Sequence, residues 1–233
     1  MKPELSSAVP PRRWNAALVI LVAAVSFGAQ PALSGDAVPD VQLSAITGRA
    51  RPLDLVKSSV SKVLAVVQSR PAAGNESAQR RAEIRRVVDG FFDFNEMARL
   101  TLSQHWSAQS PEEREEFVRL FTALLERSYL STIENYAGER ITFLGESING
   151  AYAQVWSRIT TDRRVEISID YRLIDRGYRW AVYDVVLDGM SLVSNYRSQF
   201  NSIVRTSSFE ELLARLRNRQ IEAHVIPRVG RAP

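Results

Sequence analysis

From Pro52 onward the hydrophobic residues of the chain follow two periods, and the changeover falls just after Gly138. Before it, apolar residues recur every three or four positions. Leu53, Val56, Val60, Val63, Leu64 and Val67 fit one face of a helix that Pro71 and Gly74 end. Ile84, Val87, Val88, Phe91 and Phe92 mark a second helix, interrupted near Gly90. Asp93-Phe94-Asn95-Glu96 has the form of a capping box, with Phe94, Met97, Ala98 and Leu102 on the buried face and Trp106 just beyond. Ser110-Pro111-Glu112-Glu113 combines an N-cap, a proline at the first helical position and acidic residues facing the helix dipole. The stripe Phe117, Phe121, Leu124, Leu125, Tyr129, Ile133 and Tyr136 makes the helix it opens the longest, and Gly138 stops it.

After Gly138 the period falls to two. Ile141 and Phe143 alternate with polar neighbours, Asn149-Gly150 is a two-residue hairpin signal, and residues 151–160 return as the next strand. Val165, Ile167, Ile169, Tyr171 and Leu173 alternate with Glu166, Ser168, Asp170 and Arg172, which gives that strand one dry and one wet face. Asp175-Arg176-Gly177 leads into a strand at 178–187, rich in aromatic and β-branched residues, and Asp188-Gly189 closes it. Ser191 then caps a helix carrying Leu192, Val193, Tyr196, Phe200, Ile203 and Val204. Ser208 and Glu211 form a further capping box, before a last stripe of Phe209, Leu212, Leu213 and Leu216.

Helices first, a meander next and helices last predict an α+β domain: a four-stranded antiparallel sheet covered on one face by amphipathic helices. If the dry face of the 165–174 strand sets the inside, Ala151, Ala153, Val155 and Ile159 point inward from its neighbour. Small side chains beneath large helices leave volume for a guest, so an apolar pocket is expected between sheet and helices. Asp184 falls mid-strand on the face of Trp180, Val182 and Val186, and a pairing with Arg197 is expected.

The first 51 residues are organised differently. Lys2, Arg12 and Arg13 precede an apolar run over 16–29, followed by small and turn residues, which is the layout of a signal for secretion. The run is shorter than the ~20 apolar residues of a membrane-spanning helix. No clean Ala-x-Ala marks its cleavage. The expected division is a signal peptide at 1–29, a linker at 30–51, a folded domain at 52–220 and a flexible tail at 221–233.

Composition narrows the chemistry. Hydrophobic residues make up 45% and charged residues 24%, an ordinary globular balance. There is no cysteine, which removes disulfides, thiolate nucleophiles and Cys-ligated metals. The formal charge of +4 comes mainly from scattered arginines, which read as a solvated surface rather than a nucleic-acid face. Of the two histidines, His224 is in the tail and His105 reads as a hydrogen-bonded loop residue. No metalloprotease, P-loop or Ca-loop motif is present. Gly189-Met190-Ser191-Leu192-Val193 is short of the final glycine of a nucleophile elbow, and Ser191 already serves as a cap. No catalytic residue and no metal site is assigned. What remains is apolar surface.

Three stretches resemble the MlaC-type (toluene-tolerance) family of periplasmic phospholipid-binding proteins: FFDFNEMAR at 91–99, SPEEREEFVRLFTALLERSYLSTIENY at 110–136 and WAVYDVVLDGMSLVSNYRSQF at 180–200. The resemblance covers about residues 52–220. It implies a monomeric, non-catalytic shuttle that uses no cofactor and carries phospholipid as cargo. The expected partners are an inner-membrane ABC transporter complex and an outer-membrane lipoprotein complex, and the expected place is the periplasm. Motif positions that carry over are Phe94, Met97, Trp106, Phe121, Tyr129, Trp180, Tyr183, Val185, Tyr196 and Phe200. The expected lipid-binding set is these positions without Trp180, together with Leu125, Val155, Ile167, Ile169 and Tyr171, fourteen residues in all. A hopanoid-associated relative and an envelope adaptor with a packed core are the alternatives.

Overall fold

The structure, a computed structural model, describes residues 50–69, 76–134, 136, 138–161 and 164–221. The expected signal, most of the linker, the Pro71 and Gly74 stop, His224 and the tail beyond Ile221 lie outside the described residues. The elements run α1 (Pro52–Gln68), α2 (Glu76–Phe91), α3 (Phe94–Leu102), a 3-10 turn (Ser103–His105), α4 (Pro111–Glu134), β1 (Arg140–Asn149), β2 (Tyr152–Thr160), β3 (Glu166–Asp175), β4 (Trp180–Leu187), β5 (Met190–Ser191), α5 (Leu192–Thr206) and α6 (Phe209–Arg217). No described helix is long and apolar enough to cross a membrane.

Local chemistry places the helix starts. Ser110 and Glu113 exchange both bonds of a capping box: the Glu113 amide donates to Ser110 Oγ at 3.2 Å and the Ser110 amide to Glu113 Oε2 at 2.8 Å. The boxes expected at Asp93 and Ser208 are half made. Each side chain accepts from the amide three residues on, but Glu96 turns to Arg99 and Arg176, and Glu211 to Arg215. A full guanidinium charge is the stronger partner. Gly90 does not interrupt α2; the helix runs through to Phe91, and Phe92 instead bridges to Val182.

The sheet has five strands in the order β1-β2-β3-β4-β5, each antiparallel to its neighbour, rather than the four expected. The fifth comes from turn chemistry. Asp188 and Gly189 both have positive φ, 45° and 80°, the pattern of a two-residue hairpin turn whose twist suits the flanking strands. Met190 and Ser191 therefore pair back onto Leu187 and Val186 before α5 begins.

Two irregularities decide which side chains face the helices. In β1 the register shifts between Phe143 and Gly145, whose φ is +146°, so Glu146 falls opposite the inward-facing Val155. There Glu146 accepts from Arg51 Nε at 2.7 Å and the Leu53 amide at 2.6 Å, securing the start of α1. In the β3–β4 pair the register shifts between Arg172 and Leu173. Val182 then lies opposite inward Leu173, while Asp184 lies opposite Arg172 on the other face. Asp184 does not share the face of Val182, contrary to the alternation expected. Ala151 is also displaced, because it sits exposed in the hairpin turn.

The inner face of the sheet and the apolar stripes of the helices form one cluster, from Val56 and Val60 on α1 to Leu212 and Leu216 on α6. An aromatic group joins three helices within it. The Phe121 ring lies 5.4 Å from Tyr196 and 5.8 Å from Phe200, and Phe117 lies 6.1 Å from Phe209. Edge-on and tilted ring contacts of this kind add about 0.5–1.5 kcal/mol each beyond area burial.

Candidate functional site

The inward row of β2 is Ala153, Val155, Ser157 and Ile159, all buried. Opposite it on β3 stand Leu173, Tyr171, Ile169 and Ile167, also buried, and Val185 continues the row beyond Tyr171 onto β4. The helices contribute Met97 from α3, Phe121, Leu125 and Tyr129 from α4, and Tyr196 and Phe200 from α5, all buried in the same cluster. Eleven of the fourteen residues expected from the sequence are thus buried in one apolar interior. The lone polar side chain of the β2 row, Ser157, is outside the expected set, although its alternation with Val155 and Ile159 places it there. It donates to the Ile169 carbonyl at 3.0 Å, which makes its burial inexpensive.

Three expected residues are placed differently. Tyr183 is the extra residue of the β3–β4 shift, half-buried, and its ring meets Tyr152 at 6.1 Å rather than the helix-facing row. Phe94 is half-buried and stacks on Phe92 at 5.7 Å. Trp106 is half-buried beneath the Arg114 guanidinium, 5.4 Å from the ring. Trp180 is buried at the start of β4.

Polar atoms in and near the interior divide into two kinds. Asp184, 2% exposed, accepts from Ser191 Oγ at 2.6 Å, the Val193 amide at 3.0 Å and Arg172 Nη1 at 3.1 Å. Its partner is the cross-strand Arg172 and not Arg197, which donates to Ser194 Oγ instead. The carboxylate sits at the N-terminus of α5, where free amides and the helix dipole favour an anion. Ser191 Oγ also accepts from the Ser194 amide at 3.0 Å, so its lone pair and its proton are both used in starting the helix. His105 Nε2 meets Asn201 Oδ1 at 2.8 Å and ties the 3-10 turn to α5.

The phenol hydroxyls of Tyr129 and Tyr196 are the other kind. Both are buried, with no hydrogen-bond partner among the described residues. Burial pushes both phenols above their usual range, and each senses the other. The two hydroxyls lie close enough to influence each other without forming a hydrogen bond. Tyr136 forms a contrast: it donates to the Glu139 carbonyl at 2.6 Å, and burial together with Glu139 pushes its phenol up to about 12.

A cleft of about 480 Å³ lies away from the sheet, among α2, α4 and α6. Arg81, Arg85, Arg127, Arg217 and Arg219 ring it over Leu120, Leu130 and Leu216. Ion pairs hold its banks: Arg81 with Glu134 at 2.8 Å, Arg217 with Glu116 at 2.8 Å, and Arg85 with Glu126. Between the sheet and the helices, the described side chains meet one another as one apolar cluster.

An antiparallel sheet with a row of small and branched side chains, closed over by one-faced helices, defines an α+β protein whose principal feature is its apolar interior. The profile of the MlaC protein family matches residues 57–218, and the chain belongs to that family. A relative in Haemophilus influenzae, described as the intermembrane phospholipid transport system binding protein MlaC, is 19% identical over 171 residues, 71% of this chain and 80% of its own length. The fold is similar to that of a phospholipid-binding protein from Ralstonia solanacearum solved in complex with a phospholipid. That match has a TM-score of 0.64 and 22% identity, and covers 73% of this chain and 97% of the other.

Proposed function

We propose that this protein is a periplasmic carrier that takes phospholipid between the outer and inner membranes, serving an ABC transporter as its soluble partner. The observation that carries this reading is the membership of the MlaC family over residues 57–218, joined to an interior in which the apolar residues of the inward row of β2 and the buried aromatic residues of α4 and α5 belong to one apolar cluster. The lipid-binding set is the buried group Met97, Phe121, Leu125, Tyr129, Val155, Ile167, Ile169, Tyr171, Val185, Tyr196 and Phe200, with Phe94, Trp106 and Tyr183 nearer the surface. The cargo is the only bound small molecule the reading requires.

The energetics set how such a carrier works. At ~0.8 kcal/mol per CH₂, two acyl tails exposed to water cost tens of kcal/mol, so the protein must enclose nearly all of both. In the closed chain the sheet and helix walls cover each other. Loading therefore exchanges wall-against-wall contact for wall-against-tail contact, and tails leaving a bilayer were already out of water. Both terms are close to balanced, which suits a protein that must also release its cargo. A partner that favours the parted walls shifts the equilibrium towards delivery.

A second reading, an envelope adaptor with a permanently packed core, draws on the closed contact between sheet and helices. Incubation with vesicles of labelled diacyl phospholipid, followed by separation and extraction, separates the two. The carrier leaves the vesicles with close to one lipid per chain, and the adaptor leaves with none. Preferential uptake of a hopanoid from mixed vesicles would assign the chain to the polycyclic-lipid variant.

A further inference from the structure

The aromatic cluster that joins α4 to α5 contains two oxygen atoms that bond to none of the described residues. Tyr129 is 6% exposed and Tyr196 is 0% exposed, and neither hydroxyl has a hydrogen-bond partner among the described residues. A buried tyrosine hydroxyl ordinarily finds a partner, since stranding it forfeits the hydrogen bonds it made with water. Phenylalanine would fill the same space at both positions without that penalty. The two phenols and the Ser128 hydroxyl lie near enough to act on one another, yet neither phenol makes a hydrogen bond with a described residue.

We propose that the Tyr129 and Tyr196 hydroxyls form a polar subsite within the apolar interior that receives an ester carbonyl of the bound lipid. This rests on the carrier reading and deepens it, because it names the part of the cargo that is read. Two O–H donors side by side match the two lone pairs of one carbonyl oxygen, which brings no proton of its own needing an acceptor. A phosphate is excluded, because an ionised group so deep would need a paired countercharge. The subsite would therefore sit at the glycerol end of the tails. It favours a glycerolipid ester over a cargo of pure hydrocarbon, and over a polycyclic lipid without a carbonyl. Discrimination of this type is strong, because an analogue that cannot bond leaves the buried donors unpaired.

The test offers the full chain an equimolar mixture of two phospholipids with the same headgroup and chain length, one diacyl (ester) and one dialkyl (ether), and counts the bound species by mass spectrometry. The wild-type protein should take up the ester form about tenfold over the ether form, the ratio given by roughly 1.4 kcal/mol of lost bonding. Tyr129→Phe or Tyr196→Phe alone should reduce the ratio, and the double substitution should bring it near one. Thermal melting of the lipid-free double variant should show no loss of stability. A merely structural pair would lower the melting temperature on substitution and leave the ester-to-ether ratio unmoved, which overturns the proposal. So does a wild-type protein indifferent to the two lipids, or a ratio that survives both substitutions. A wild-type protein that binds neither lipid would instead overturn the carrier reading beneath it.

Discussion

Asp184, on the face of β4 turned away from the inward row, and the Tyr129–Tyr196 pair, within the apolar interior, are both buried polar groups, and their surroundings treat them in opposite ways. Asp184 has three donors aimed at it, one from a neighbouring strand and two from the start of α5. The two phenols have none among the described residues. A satisfied group fixes a structure, whereas an unsatisfied one leaves capacity for something that arrives later. The β4–α5 junction is accordingly the part of the wall fixed by its own hydrogen bonds, and the carrier proposal assigns the α4–α5 seam to the guest.

The largest expected effect tests the hydrogen-bonded junction. Asp184→Ala strands the Val193 amide and releases Arg172 and Ser191, and should cost about 3 kcal/mol in chemical denaturation. Where the variant is folded, its bound-lipid content should match wild type. Lost lipid at unchanged stability would reverse the roles assigned to the two regions. Next comes Val155→Trp, which inserts a large ring where the inward face is fully closed. Overpacking should cost about 1–3 kcal/mol and block lipid loading, whereas loading at the wild-type level would remove Val155 from the site. Ser157→Ala deletes a bond to the Ile169 carbonyl and should cost about 1 kcal/mol in the same denaturation assay, without altering loading.

The smallest effect is in acid. The Arg99 hydrogen bond, followed by Arg99 charge and Arg176, holds the Glu96 carboxyl below its ordinary value of 4.5, against the upward push of burial. A carboxyl depressed in the folded state stabilises fully above its unfolded pKa, and the contribution is lost as pH falls through the folded one. Denaturation midpoints should therefore decline as the pH is taken below about 4.5, and Glu96→Gln should flatten that decline. Equal slopes for both proteins would remove Glu96 from the account.

How far the sequence foretells this molecule depends on whether a feature is local. Ser110, Ser191 and Ser208 each cap within four residues of themselves, and the alternation from Ile167 to Leu173 reveals its own faces. The shifts at Gly145 and after Arg172 are different, because pairing between strands sets them. Each reverses the facing of the neighbouring strand residues, so that Glu146 reaches α1 and Asp184 meets Arg172. The five arginines of the cleft come from α2 (Arg81 and Arg85), α4 (Arg127) and the end of α6 (Arg217 and Arg219), three groups that no spacing rule joins. Tyr129 and Tyr196 were legible as members of apolar stripes, yet the fate of their hydroxyls depends on how α4 meets α5 in space.

The carrier account is tested most directly by weighing the native protein after gentle purification from cells whose membranes are intact. It predicts a mass increased by one diacyl phospholipid per chain, recoverable on extraction. A population that carries the bare polypeptide mass throughout, and stays bare after exposure to phospholipid vesicles, would contradict it.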